Sequence, residues 1–302
     1  MEIIKRRYID FLGKRKITLV VSAVLVIVGF VAAIAIPLGK ANLGTDFAGG
    51  VAVQFRFEKP FEIQVVREVL EKNGFDDADL QEFAGTSKLL VRVKRTDNIR
   101  GLAKAIGEIF AKEMPDNPFT VDSTTEVGPT VGRKLQKDAL WAVAISLVGI
   151  LLYVAWRFEF RFGVAAVAAT FHDVLAVLGI LFVLNKEINL LIVTALLTIA
   201  GYSLTDTVVV FDRIRENLRK KTKEEIVPLI NRSITEVLRR TIVTSGTTLL
   251  VLIALLAIGG EVIHDFSLAL FLGVLIGTYS SIFVASPLLF VWKKKQGKLI
   301  KV

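Results

Sequence analysis

The segment 190–212, LLIVTALLTIAGYSLTDTVVVFD, constrains the fold of this chain more than any other stretch. It is long and apolar enough to cross a bilayer, which takes about 20 predominantly apolar residues. Its second half contains Asp206, and a carboxylate within a span costs about 2.5 to 3.5 kcal/mol on insertion scales. At about 100° per residue, Thr198, Tyr202 and Thr205 share one side of the helix with Asp206. We expect this polar stripe to face protein or water rather than lipid.

Two interpretations of Asp206 follow from this position. Its carboxyl group can hydrogen-bond a neighbouring helix and serve packing alone, or it can bind a proton or another ion during a functional cycle. Intramembrane carboxylates are rare and often mark ion or proton pathways. We therefore favour a proton or ion site at Asp206, and a role in packing alone stays open.

The composition of the whole chain is that of a membrane protein. Apolar residues make up 53% of the sequence, and the net charge of +9 follows the predicted membrane boundaries rather than a nucleic-acid-binding face. The chain has no cysteine and only two histidines, His172 and His264, so we expect no disulfide and no metal site. No nucleophile elbow, Walker loop or zinc spacing occurs. We therefore expect neither enzymatic activity nor a bound cofactor.

Six apolar runs are long enough to span a bilayer. They lie at residues 17–36, 139–156, 162–184, 190–211, 241–258 and 266–292. The first is longer than a signal-peptide core, so we expect an uncleaved anchor. The predicted cytoplasmic segments contain 22 Lys and Arg residues, whereas the short outer loops contain only Lys186. By the positive-inside rule, both termini are expected in the cytoplasm.

The region after the N-terminal segment and first span (residues 1–38) has the character of a soluble domain, at residues 39–137. Its predicted strands are 51–57, 80–84, 88–94 and 119–127, and its predicted helices are 61–73 and 98–112, the second capped by Asp97. This β-α-β-β-α-β order predicts an α+β ferredoxin-like domain, which the topology places outside the cytoplasm. Fifteen basic and fifteen acidic residues cancel within 40–137, which argues against nucleic-acid binding.

The other five spans form a predicted helical bundle at residues 138–292, followed by a basic cytoplasmic tail at 293–302. Thr222 and Glu225 match a capping box for a cytoplasmic amphipathic helix at about 222–240. Pro228 is expected to kink or separate its first turns. Such a helix with basic flanks either lies on the lipid surface or docks a partner.

Charged residues at three places could perform chemistry in the membrane. Asp173 lies near the middle of the third span, and Asp206 lies about 24 Å below the outer end of the fourth. Arg240 begins the fifth span, just before hydroxyl residues that include Thr244 and Ser245. Burial favours the protonated form of a carboxyl group, and a nearby arginine favours the charged form. If Arg240 approaches and leaves Asp206, that carboxyl group would release and bind a proton.

Simpler roles remain for several of these residues. Arg240 can snorkel to the inner interface, and His172 can be a packed or interhelically bonded residue instead of a proton relay. Asp212 and Arg213, at the water boundary, are expected to belong to an interfacial salt-bridge cluster.

Five motifs give the chain a resemblance to the SecD/SecF family of the resistance-nodulation-division superfamily. They are LGTDFAGG (43–50), VGPTVG (127–132), HD in the third span, GYSLTDTVVVFDRIREN (201–217) and LRRTIVTSGTT (238–248). The resemblance implies proton-driven movement in protein export, with Asp206 and Arg240 in the proton pathway. We add Asp173 to that pathway and expect Tyr202, Thr205, Thr244 and Ser245 to support it. Thr205 departs from the asparagine common in the family.

The resemblance also implies a multi-pass protein of a bacterial or archaeal cytoplasmic (inner) membrane, and it implies partners. These are a SecD subunit with six spans of its own, the SecYEG channel, the accessory proteins YajC and YidC, and emerging preproteins. Two alternatives remain open. A proton-coupled exporter of small molecules or lipids would need larger porter domains than residues 39–137 provide. A scaffold that only stabilises the translocon would tolerate the loss of Asp206.

Overall fold

The computed structural model describes residues 9–83, 85–94, 101–158, 160–220 and 225–294. The predicted cap at Asp97, the Thr222 side of the capping box and residues 295–302 of the basic tail lie outside these ranges. The chain forms two compact units. One is Leu43–Leu140, and the other joins Met1–Asn42 to Trp141–Val302.

Ten α-helices and four strands make up the described part of the chain, together with a 3-10 turn at Leu12–Lys14 and a π-helix at Ser281–Ala285. The helices are α1 Arg15–Ala35, α2 Thr45–Ala48, α3 Ile63–Lys72, α4 Leu102–Glu113, α5 Pro129–Arg157, α6 Phe160–Val183, α7 Leu190–Arg219, α8 Ile226–Ile258, α9 Glu261–Ser280 and α10 Ser286–Lys294. The strands are β1 Gly50–Phe57, β2 Asp79–Glu82, β3 Lys88–Val93 and β4 Phe119–Val127.

The unit Leu43–Leu140 contains the predicted ferredoxin-like fold. Its four strands form one antiparallel sheet in the order β2-β3-β1-β4, with α3 between β1 and β2 and α4 between β3 and β4. Apolar residues of the sheet and of both helices form a single core, in which Leu70 and Ile106 are buried and Val69, Leu102 and Ile109 pack at its edge. The β-α-β-β-α-β prediction is confirmed.

Aromatic packing holds α4 on the sheet. Phe110 is fully buried, and its ring lies 4.9 Å from the ring of Phe55 and 5.7 Å from that of Phe57, centroid to centroid. Removing such a ring leaves a cavity that neighbouring side chains fill only in part.

Phe110→Ala should therefore lower the free energy of unfolding of this domain by about 3 to 5 kcal/mol. Urea unfolding of the excised domain, followed by circular dichroism, measures the change. Val121→Ala is the matched control, because Val121 lies on β4 with half of its surface exposed and should change stability little. An equal effect of the two substitutions would contradict this account of the core.

In the described part of the chain, six helical segments are long and apolar enough to cross a membrane. They are Leu12–Ala35, Pro129–Arg157, Phe160–Val183, Leu190–Arg219, Ile226–Ile258 and Ile263–Val291. The predicted number of spans is confirmed. Most segments extend beyond the predicted runs because polar residues that flank an apolar run continue the same helix.

Helix α6 lies at the centre of the bundle and packs against α1, α7 and α9. Two glycines allow the close contact with α1. A Cβ atom at Gly29 would lie 2.3 Å from the carbonyl oxygen of Leu175, and one at Gly179 would lie 2.7 Å from the amide nitrogen of Gly29. Small residues at helix contacts in membranes let backbones approach in this way.

The predicted amphipathic helix at 222–240 is not a separate element. Its described residues continue without a break into the fifth span, as the single helix α8 Ile226–Ile258. Pro228 is the third residue of this helix, where its missing amide hydrogen has no intrahelical acceptor to lose. The expected kink therefore does not follow from this proline. In the described part of the chain, α4 begins at Leu102 after Gly101, whose φ of 88° is left-handed. The predicted start of this helix at residue 98 lies outside the described residues.

Candidate functional site

Asp173 lies completely buried in α6, at 0% exposure, and its carboxyl group has three hydrogen-bonding neighbours. Oδ2 accepts from the hydroxyl of Ser203 in α7 and from that of Ser280 in α9, the latter at 2.7 Å. Oδ1 lies 2.8 Å from Nδ1 of His172. Three helices therefore meet at this one carboxyl group.

Glycine brings α9 close enough to α7 for this arrangement. A Cβ atom at Gly277 would lie 3.1 Å from the Cβ atom of Ser203. The close approach places Ser280, one turn further along α9, against Asp173. Because a serine hydroxyl can donate or accept, the same neighbours can satisfy the carboxyl group with or without a proton.

Asp206 lies on the buried side of α7 and is 7% exposed. The hydroxyl of Ser245 in α8 donates to its Oδ2 at 3.3 Å. The same hydroxyl lies 2.7 Å from Oγ1 of Thr278 in α9. Asp206 is thus connected through Ser245 to the turn of α9 that also contains Ser280.

Arg240 lies near Asp206 without pairing with it. No ion pair or hydrogen bond joins the side chains of these two described residues. Arg240 is exposed at the side of α8. The predicted meeting of the two side chains therefore requires movement from this conformation.

The other polar residues predicted to support Asp206 mostly bond to helix backbone. Thr205 donates to the carbonyl oxygen of Gly201 at 3.1 Å, and Thr244 donates to that of Arg240 at 3.0 Å. The hydroxyl of Tyr202 donates to Thr248 at 3.4 Å. Among the four predicted supporting residues, Ser245 alone contacts the Asp206 carboxyl group through a described hydrogen bond.

The polar stripe on α7 divides between two environments. Asp206 faces the bundle, whereas Thr198 and Thr205 are exposed on the surface of this chain. Thr198 donates to the carbonyl oxygen of Thr194 at 2.8 Å, so its hydroxyl is satisfied within the helix. Its side of α7 is therefore available to lipid or to another protein.

The interfacial cluster forms around Arg213 and not around Asp212. Arg213 pairs with Glu236 of α8 at 2.6 Å, and Asn217 donates to the same carboxylate at 2.8 Å. Asn217 also donates to the buried hydroxyl of Ser233 at 2.9 Å. Asp212 is exposed and joins no ion pair among the described residues. The cluster fastens the end of α7 to the beginning of α8.

Three residues that contact these carboxyl groups or their neighbours were not predicted from the sequence: Ser203, Thr278 and Ser280. A signal for the last two exists in GTYSSIFVASP (277–287), a run of small polar residues inside an apolar span. Within the described ranges, no group of three or more His, Cys, Asp or Glu side chains is placed to hold a metal ion.

Comparison with known proteins identifies the family. The family model for the protein export membrane protein SecD/SecF, C-terminal, matches residues 108–295. A relative from Thermodesulfovibrio yellowstonii, named protein translocase subunit SecF, is 51% identical over 296 residues, covering 97% of this chain and 98% of the relative. A relative of the same name from Calditerrivibrio nitroreducens is 41% identical over 298 residues, covering 97% of each chain.

Two solved structures share the fold. A crystal structure of SecDF from Thermus thermophilus, described as a translocon-associated membrane protein, matches with a TM-score of 0.83 and 39% identity. The match covers 95% of this chain and 39% of the solved one. SecDF in a super-membrane-facing form matches with a TM-score of 0.70 and 38% identity, covering 98% of this chain and 40% of the other. The chain therefore spans about two fifths of the solved SecDF chains.

These matches agree with the six apolar helices, which make this a multi-pass membrane protein. The family model covers more than half of the sequence, and the relatives match nearly all of it. On both grounds, the chain belongs to the SecD/SecF family of protein export membrane proteins.

Proposed function

We propose that this chain acts as a subunit of the Sec protein-export machinery and, with a SecD partner, uses the proton gradient to drive or complete preprotein translocation across the cytoplasmic membrane. The observation that carries the proposal is the pair of buried carboxyl groups, Asp173 and Asp206, in contact with the same helix α9 through Ser280 and through Ser245 and Thr278. Intramembrane carboxyl groups that face other helices are typical of proton pathways.

The proposed SecD partner would correspond to the part of the solved SecDF chains that lies outside the matched region. The solved SecDF chains are more than twice as long as the region matched here. The exposed side of α7 with Thr198 and Thr205 gives a second helical bundle a surface to pack against. We further propose the SecYEG channel, YajC, YidC and the emerging preprotein as partners, with no catalytic role and no cofactor.

The energy available per proton fits a conformational role. One proton that crosses a potential of about 100 mV releases about 2.3 kcal/mol. This energy is comparable to the 1.5 to 3 kcal/mol of roughly one hydrogen bond to a charged group. A cycle in which Asp206 alternates between its bond to Ser245 and a contact with Arg240 therefore lies within reach of a single proton.

We propose that both termini are cytoplasmic and that the domain between the first two spans lies outside. Lys104→Cys should then react with a membrane-impermeant maleimide in intact spheroplasts, because Lys104 is exposed on α4. Arg219→Cys, at the exposed end of α7, should react only after the membrane is opened. The cysteine-free background makes each label specific. If Arg219→Cys reacted in intact spheroplasts and Lys104→Cys reacted only after the membrane was opened, the proposed topology would be wrong.

Translocation into inverted membrane vesicles tests the proposed function. Vesicles that contain the chain and its SecD partner receive a labelled preprotein, ATP and the Sec motor ATPase, with or without an imposed proton gradient. The proposal expects a gradient-dependent increase in protected preprotein that disappears when this chain is omitted. An unchanged increase without the chain would reject the proposal, and an equal loss with and without the gradient would favour the scaffold role.

A further inference from the structure

Ser280 is the last residue of α9 and is completely buried. Its hydroxyl lies between two acceptors, Oδ2 of Asp173 at 2.7 Å and the carbonyl oxygen of Gly277 at 3.2 Å. Ser203, the other serine at Asp173, donates to that carboxyl group alone within the described residues. Ser280 is thus the donor that has an alternative acceptor in its own helix.

This alternative matters when Asp173 gains a proton. A carboxylate accepts hydrogen bonds from several donors. A protonated carboxyl group donates one hydrogen bond itself, so one neighbouring donor must either accept that bond or turn away from the carboxyl group. Ser280 can withdraw to Gly277 without leaving a buried polar group unpaired, which would be costly. His172, the titratable neighbour of Asp173, faces the other carboxyl oxygen, Oδ1, at 2.8 Å. At Oδ2, Ser280 is the donor that can exchange its bond when the charge on Asp173 changes, because Ser203 has no other described acceptor.

The helix changes its geometry immediately after Ser280. Residues Ser281–Ala285 form a π-helix, and the hydroxyl of Ser286 donates to the carbonyl oxygen of Ser281 at 3.1 Å. Single π-turns inside α-helices often occur at functional sites, because the extra residue in the turn allows a shift of register. A change at Ser280 thus acts at the end of α9 where the backbone can respond.

The same turn of α9 also connects to the other carboxyl group. Thr278 lies 2.7 Å from Ser245, and Ser245 donates to Asp206 at 3.3 Å. Asp173 and Asp206 are therefore linked to two residues of one helical turn, Ser280 and Thr278, directly before the π-helix.

We propose that Ser280 is a positioning residue that transmits the charge state of Asp173 to the π-helix at Ser281–Ala285, so that α9 couples the Asp173 and Asp206 sites. This inference rests on the proposed proton-driven function and adds the element that carries the signal. In this proposal α9 is the helix through which the Asp173 and Asp206 sites influence each other.

The test compares Ser280→Ala with Ser267→Ala in the complete complex. Ser267 lies on the same helix with the same burial, but its hydroxyl has no hydrogen-bond partner among the described residues. Loss of a hydrogen bond to a charged group should reduce the gradient-dependent part of translocation about tenfold in Ser280→Ala. Ser267→Ala should keep the wild-type value. If both variants keep it, the role of Ser280 is refuted.

A second measurement separates coupling from simple packing. Hydrogen exchange of the amides at 281–285 should change to the same extent in Asp173→Asn, in Ser280→Ala and in the double variant that combines them. It should not change in Ser267→Ala. Additive changes in the double variant would overturn the proposal. The proposal would also be overturned if the amides at 281–285 exchanged in Asp173→Asn as they do in the wild type. This outcome can be observed even if the Ser280 variants do not fold.

Failure of this inference is distinguishable from failure of the proposed function. If Asp206→Asn loses the gradient-dependent stage and Ser280→Ala behaves like Ser267→Ala, proton-driven export stands and the coupling through Ser280 falls. If Asp206→Asn retains the full gradient-dependent stage, the proposed function itself falls.

Discussion

Asp206→Asn should abolish the gradient-dependent stage of translocation while the protein still inserts and binds its SecD partner. Asparagine keeps the size of the side chain and can still accept the hydrogen bond from Ser245 at 3.3 Å, but it cannot bind or release a proton. The effect should therefore fall on proton coupling and leave the packing of α7 intact. Translocation into inverted vesicles with ATP, with and without an imposed proton gradient, measures it.

Asp212→Asn is the matched control for this experiment. It makes the same chemical change on the same helix, but Asp212 is exposed and joins no described ion pair, so water and salt screen its charge. We expect nearly wild-type gradient dependence. If Asp206→Asn also kept the full stimulation, Asp206 would not carry a proton and its role would be limited to packing.

Asp173→Asn should produce the second-largest effect, because it changes both function and stability. The amide group of asparagine places two donor hydrogens where Ser203, Ser280 and His172 now surround a carboxyl group. Because donors then face donors in a completely buried site, a polar group is left without a partner, which should lower stability by about 1 to 3 kcal/mol. The Tm of the detergent-solubilised complex and the vesicle assay measure the two effects.

Asp265→Asn provides the comparison for Asp173→Asn. Asp265 lies near the other end of α9 and pairs with Lys186 at 2.8 Å, with both side chains partly exposed. Partly exposed pairs contribute about 0 to 1 kcal/mol, so its Tm should change little. An equal fall in the Tm of both variants would show that burial does not determine how much the Asp173 hydrogen bonds contribute to stability.

The domain between the first two spans could be predicted closely from sequence. Alternation in β1 and helical spacing in α3 are local patterns, and the strand order follows from the β-α-β-β-α-β sequence. The number of spans was equally accessible, since length and hydropathy determine it. The start of α4 at Leu102 could not be predicted in this way, because helical spacing does not show that Gly101, directly before the helix, is left-handed.

The functional site was predictable only in part. Asp173 and Asp206 stand out because a carboxyl group is rare in an apolar span. Ser203 does not stand out, and although Ser280 lies in a run of small polar residues, only the packing of α6, α7 and α9 brings both serines to Asp173. Helical spacing also grouped Thr205 with Asp206, although the two side chains lie in different environments.

The continuity of α8 could not be inferred from sequence, because two different sequence patterns meet within this helix. Amphipathic spacing before Arg240 and uniform apolarity after it look like two elements. One helix contains both because its first turns pack beside α7 through Arg213 and Glu236, while its remainder crosses the membrane. Arg240 lies where the two parts join, so a movement of α8 would carry it toward or away from Asp206.

Direct measurement of proton movement tests the central claim most sharply. Proteoliposomes that contain the complete complex and the channel, with a pH-sensitive dye inside, receive an imposed gradient and a translocating preprotein. The account predicts that the gradient decays faster during translocation with the wild-type protein than with Asp206→Asn, and that Asp212→Asn follows the wild type. Equal decay in the wild type and in Asp206→Asn would contradict it.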